Sequence, residues 1–140
     1  MRFWDASAVI CLCVEQPGAQ ALDALQASDR EICVWWGTRT ACLSALSRLL
    51  REGALDPASQ DAARQDLLRL AGAWSEVSPE APVRLTAERM LGRHALRTGD
   101  AFQLAAALHW CDQQPRGASL VTLDRRLAEA ARKEGFSVLP

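Results

Sequence analysis

Ser119-Leu120-Val121-Thr122-Leu123-Asp124-Arg125-Arg126-Leu127-Ala128-Glu129-Ala130-Ala131, followed by Glu134-Gly135 and Phe136-Ser137-Val138-Leu139, reads as strand, helix and strand. Ser119 to Leu123 is a short apolar run of the kind a doubly covered strand needs. Asp124 stands where a helix starts, and Gly135 where it stops. A helix between two short strands makes them parallel neighbours, because a tight turn cannot join parallel strands.

The same grammar recurs upstream. Phe3-Trp4 reads as a first strand ending at Asp5, and Ala6 to Val14 as a turn into a short apolar helix. Ala19 to Ala27 shows helical spacing, and Ile32-Cys33-Val34-Trp35-Trp36 is rich in β-formers. Gly37-Thr38 opens a helix with Thr38 as the expected cap, an apolar face through Cys42, Leu43, Leu46, Leu49 and Leu50, and a stop at Gly53. Asp56-Pro57 opens another, running to about Trp74. Glu76-Val77-Ser78-Pro79 reads as an extended link, and residues 82–96 as a helix. Arg97-Thr98-Gly99 breaks the chain before a nearly all-apolar helix beginning at Asp100. Strands alternating with helices predict an α/β fold: three α/β/α layers around a short parallel sheet of four to five strands, in one domain spanning residues 1–140.

Composition bounds the function. The chain has 140 residues, 49% of them hydrophobic, and a net charge of −1, so no global field draws it to nucleic acid. A polyanion would have to be held locally, by a metal or by arginines. Nearly all the positive charge is arginine, with Lys133 the single lysine. Five cysteines, Cys11, Cys13, Cys33, Cys42 and Cys111, lack zinc-site spacing and read as reduced core residues, which predicts a cytoplasmic protein. Met1 to Asp5 does not read as a leader, and no apolar run reaches the ~20 residues of a membrane span.

Asp5, Asp100 and Asp124 are the candidate site. Each ends an apolar run or starts a helix, and the carboxyl edge of a parallel sheet is where such folds place their chemistry. Clustered carboxylates repel and call for a cation, and hard oxygen donors suit Mg²⁺ or Mn²⁺. Each acid alone also serves as an ordinary helix cap. Their combination with the words around them says more. Asp5-Ala6-Ser7-Ala8, Leu96-Arg97-Thr98-Gly99-Asp100-Ala101-Phe102-Gln103-Leu104-Ala105-Ala106-Ala107 and Val121-Thr122-Leu123-Asp124-Arg125-Arg126-Leu127-Ala128-Glu129-Ala130-Ala131 resemble the PIN domain. The toxin branch of bacterial VapBC toxin–antitoxin pairs is most similar.

The resemblance implies a metal-dependent endoribonuclease in which four acids hold one or two Mg²⁺ or Mn²⁺ ions. Asp5, Asp100 and Asp124 take three of those places as catalytic and metal-binding residues. Ser7 and Thr122 fall where the family has small hydroxyl residues that support the acids, although local backbone hydrogen bonding explains both equally well. The family's fourth acid falls just before Cys42, where this chain has Ala41, and no acid lies between Glu31 and Glu52. A natural relative with weakened catalysis, a variant made inactive for expression, and replacement by another acid such as Glu80 or Glu88 all remain open. The second is favoured, since everything around Ala41 keeps the family pattern. Arg97, Arg125 and Arg126 are candidates for RNA contact, with solvated helix surface as the plainer reading.

The implied partners are an RNA substrate and a small VapB-like antitoxin that lays a helix or tail into an apolar groove. Cys13, Val14, Leu22, Leu25, Leu43 and Leu46 are candidate groove residues. A homodimer is usual in the family. The rival functions are a non-catalytic PIN-like module acting through its antitoxin or RNA, and a plain α/β domain whose acids are caps.

Overall fold

The computed structural model describes residues 1–140. Five strands, β1 (Arg2–Trp4), β2 (Ile32–Trp35), β3 (Ser75–Val77), β4 (Ser119–Val121) and β5 (Ser137–Leu139), form one sheet in the order β3-β2-β1-β4-β5. Every neighbouring pair is parallel, with Phe3 opposite Cys33 on one side and Leu120 on the other.

Seven helices fill the connections: α1 (Ala6–Cys11), α2 (Ala19–Ser28), α3 (Thr38–Arg51), α4 (Pro57–Ala71), α5 (Ala81–Arg93), α6 (Thr98–Trp110) and α7 (Arg125–Glu134). The period-two alternation of the strands sorts them into two layers. Phe3, Cys33 and Leu120 point to one face and pack with buried residues of α5, α6 and α7. Trp4, Ile32, Val34 and Val121 point to the other and pack with α1, α2, α3 and α4. The expected three-layer arrangement is therefore present, and both sheet faces are covered, as an all-parallel sheet requires.

Local chemistry sets the element ends. Asp56 caps α4 by accepting the Ser59 N–H at 2.7 Å, with Pro57 in the first turn. That bond holds the Asp56 carboxyl below its ordinary range. Asp56→Ala is expected to lower the melting temperature by a few degrees without altering the sheet edge, as followed by circular dichroism. Gly135 ends α7 at φ 111°, where a side chain would strain the backbone.

The helix expected over residues 82–96 spans Ala81–Arg93, the one expected to reach about Trp74 ends at Ala71, and three other boundaries also differ from the sequence reading. Ser75–Val77 is an edge strand on β2 rather than a link; its Ser and Glu are exposed, so no apolar run announces it. Thr38 is the first residue of α3 rather than its cap, and its buried hydroxyl accepts the Gln103 amide N–H at 3.1 Å. The helix expected to begin at Asp100 begins at Thr98, with Asp100 in its first turn.

All five cysteines are free thiols. Burial pushes Cys13 and Cys42 up to about 12 and Cys33 to about 11, so they stay protonated and act as small apolar residues. No helix is long and apolar enough to cross a membrane.

Candidate functional site

The chain lays down β1, β2 and β3 in one direction, then crosses back to lay β4 and β5 on the other side of β1. The crevice between the carboxyl ends of β1 and β4 is therefore the topological switch point, where open parallel sheets bind ligands. Asp5 follows β1 and Thr122 follows β4 at this point.

Asp5 is 5% exposed, and its backbone N–H donates to the Val121 carbonyl at 2.9 Å. Its Oδ2 accepts from the Ser7 N–H at 3.1 Å, the Ser7 hydroxyl at 2.5 Å and the Thr122 hydroxyl at 3.0 Å. The same two hydroxyls hold the opposite strand end: Leu123 N–H donates to Ser7 Oγ at 2.9 Å and Asp124 N–H to Thr122 Oγ1 at 3.0 Å. Ser7 and Thr122 thus tie the loop after β1 to the loop after β4. Burial raises the Asp5 carboxyl above its ordinary value, opposed by the bonds from Ser7 and Thr122. A buried carboxylate with one oxygen fixed and the other without a hydrogen bond is primed for a cation.

Asp124 caps α7 by accepting the Leu127 N–H through Oδ1 at 2.9 Å. Asp100 accepts the Arg97 N–H through Oδ2 at 3.1 Å. Each of the three carboxylates therefore keeps one oxygen outside any hydrogen bond. By donor chemistry these oxygens fit Mg²⁺ or Mn²⁺. No group of three or more His, Cys, Asp or Glu side chains is gathered closely enough to hold a metal ion. An ion shared by these carboxylates would have to be reached through its own waters, which Mg²⁺ on proteins usually keeps.

Ala41 is exposed on the first turns of α3 and lines a cleft of about 250 Å³ with Ser7, Leu123 and Arg48, so the position without an acid borders the Asp5 network. Glu80 and Glu88 line other cavities, with Trp35 and with His109 respectively. Arg97, Arg125 and Arg126 are exposed and form no ion pair. Arg48 was not singled out from the sequence, where it is one arginine among many. Only the fold places it over the cleft.

The suggested groove divides. Cys13 and Val14 line a cavity of about 360 Å³ with Leu55 and Ala63. Leu25 and Leu43 are half-buried. Leu22 and Leu46, at 0% and 1% exposure, are core residues that a partner cannot reach, which corrects their placement in the groove.

A family model described as "PIN domain" matches residues 2–133. No curated protein matches the chain. Among solved structures, PAE2754 from Pyrobaculum aerophilum superposes at a TM-score of 0.66 with 20% identity over 98% of this chain and 87% of its own. FitAcB from Neisseria gonorrhoeae superposes at 0.68 with 16% identity, covering 100% of this chain and 97% of its own. Mycobacterium tuberculosis VapC20, described as a sarcin-ricin loop cleaving toxin, superposes at 0.66 with 17% identity over 93% and 95%. At these identities the likeness is one of fold.

Proposed function

The chain belongs to the PIN-domain family, and on that premise we propose that it is the toxin-type endoribonuclease of a VapBC-like pair, acting on RNA in the cytoplasm and weakened by Ala41. The observation that carries this reading is the Asp5–Ser7–Thr122–Asp124 network at the switch point. An ordinary cap needs no such cross-strand brace.

In this reading Asp5, Asp100 and Asp124 would hold Mg²⁺ or Mn²⁺. When bound, the ion lowers the pKa of a coordinated water and offsets charge at the scissile phosphate. Ser7 and Thr122 fix one Asp5 oxygen and leave the other for the ion. The sheet ends and the starts of α6 and α7 hold the three acids on rigid elements, which serves in-line geometry. Arg48, Arg97, Arg125 and Arg126 lie free to pair with RNA phosphates. The cavity beside Cys13 and Val14 would receive the apolar face of an antitoxin, and a homodimer is the assembly the family resemblance implies.

Metal binding tests the reading. Mn²⁺ should raise the melting temperature of the chain, and Asp100→Asn and Asp124→Asn should each shrink that rise. A melting curve indifferent to divalent ions, or a rise that survives both substitutions, leaves the acids as caps. In the non-catalytic alternative, antitoxin or RNA binds tightly and Asp100→Asn leaves that binding unchanged.

A further inference from the structure

Trp35 at the end of β2 and Phe102 early in α6 stack with ring centroids 5.4 Å apart and planes within 6°. The pair is half-buried and borders a cavity of about 330 Å³. The cavity lies at the carboxyl edge of the sheet, and Phe102 is two residues beyond Asp100. Its rim carries Glu80, the exposed extended residue just before α5, and Arg84, exposed in the first turns of that helix. The two side chains form no ion pair with each other or with any other residue.

We infer that this cavity is a nucleobase subsite of the RNA, in which one unpaired base lies against the Trp35–Phe102 stack, Arg84 holds a phosphate and Glu80 accepts from the base's amino or imino N–H. The inference rests on the RNA reading above and adds where a base beside the scissile phosphate is read. Base stacking on aromatic faces is the general means of holding unpaired nucleotides, and an arginine supplies the phosphate contact. Carboxylates recognise exocyclic amino groups. The volume falls at the lower end of the range small-ligand pockets occupy. The stack is also set in advance: a Cβ at Gly37 would lie 2.7 Å from the Trp35 indole nitrogen, so the indole lies close over the Gly37 backbone. Edge packing of the core accounts for the two rings. It does not account for the open volume or for an unpaired acid and base facing it.

The test uses the intact chain in EDTA, with fluorescein-labelled single-stranded RNA followed by anisotropy and the four ribonucleoside monophosphates as competitors. Phe102→Leu should weaken RNA binding about tenfold or more. Arg84→Ala should weaken it and flatten its salt dependence by about one unit of slope. Glu80→Gln should change which monophosphate competes best. Arg84 and Glu80 are exposed, so these two variants keep the fold, and a melting curve checks Phe102→Leu. If RNA binds and none of the three variants changes affinity, salt slope or base preference, the subsite is wrong while the RNA reading stands. If the chain binds no RNA at all, both fall.

Discussion

Asp5→Asn is expected to raise the melting temperature of the metal-free protein at neutral pH and to abolish its response to Mn²⁺. Asp5 is buried, and burial raises its carboxyl above the ordinary value of 3.8. An acid whose folded pKa is raised contributes its stability below the unfolded pKa and loses it as pH climbs through the folded one. Metal-free protein should therefore be more stable at mildly acid pH than the other carboxylates alone would make it. Asn removes the charge and keeps the shape. Its benefit is full once the pH exceeds the folded pKa of Asp5 and vanishes below 3.8, where Asp5 is neutral in both states. The metal arm runs the opposite way. An ion at 100 times its Kd stabilises by about 2.7 kcal/mol, and that gain should disappear with the carboxylate. Melting curves at several pH values, with and without Mn²⁺, check both arms. A variant less stable than the parent at neutral pH without metal would mean that the hydrogen bonds from Ser7 and Thr122 outweigh desolvation.

Much of this arrangement can be read in the amino-acid sequence itself. The alternation of apolar runs and helical spacing gave β1, β2 and β4, whose apolar residues lie between the two helix layers, while Gly135 followed by Val138 and Leu139 marked β5, a half-buried edge strand. β3 escaped because an edge strand of Ser75, Glu76 and Val77 is held by backbone pairing to β2 and carries no pattern of its own. Thr38 reads as a cap by residue type; its partner Gln103 lies 65 residues away, beyond the reach of local rules. The acids were found by position and by family words. Their brace through Ser7 and Thr122 joins residues more than a hundred positions apart, and only strand order reveals it. Leu22 and Leu46 show the converse limit: periodicity marks an apolar face without saying whether it meets the core or a partner.

The larger expected effect is a gain of function. Ala41 sits on the cleft that Ser7 and Leu123 share, and its side chain is exposed, so a longer one enters without displacing the core. On the proposed reading, a carboxylate there would add a fourth hard donor to the three aspartates. Two unit charges at ~4 Å interact by roughly 1–4 kcal/mol at surface-like dielectrics, and a divalent ion doubles that. Even the lower end, at about 1.4 kcal/mol per factor of ten, is worth roughly 30-fold in metal occupancy or in transition-state charge. The cost is added like-charge repulsion without metal, so Ala41→Glu should melt lower than the parent in EDTA and recover in Mn²⁺.

One time course tests the whole account: end-labelled RNA, both hairpin and single-stranded, incubated with the parent chain, Ala41→Glu and Ala41→Glu/Asp100→Asn in Mg²⁺, Mn²⁺ and EDTA. Internal cleavage by Ala41→Glu is expected to be at least about 30-fold faster than by the parent, absent in EDTA and lost again in the double variant. An Ala41→Glu protein that is folded yet inert with both metals and every RNA tried would contradict it.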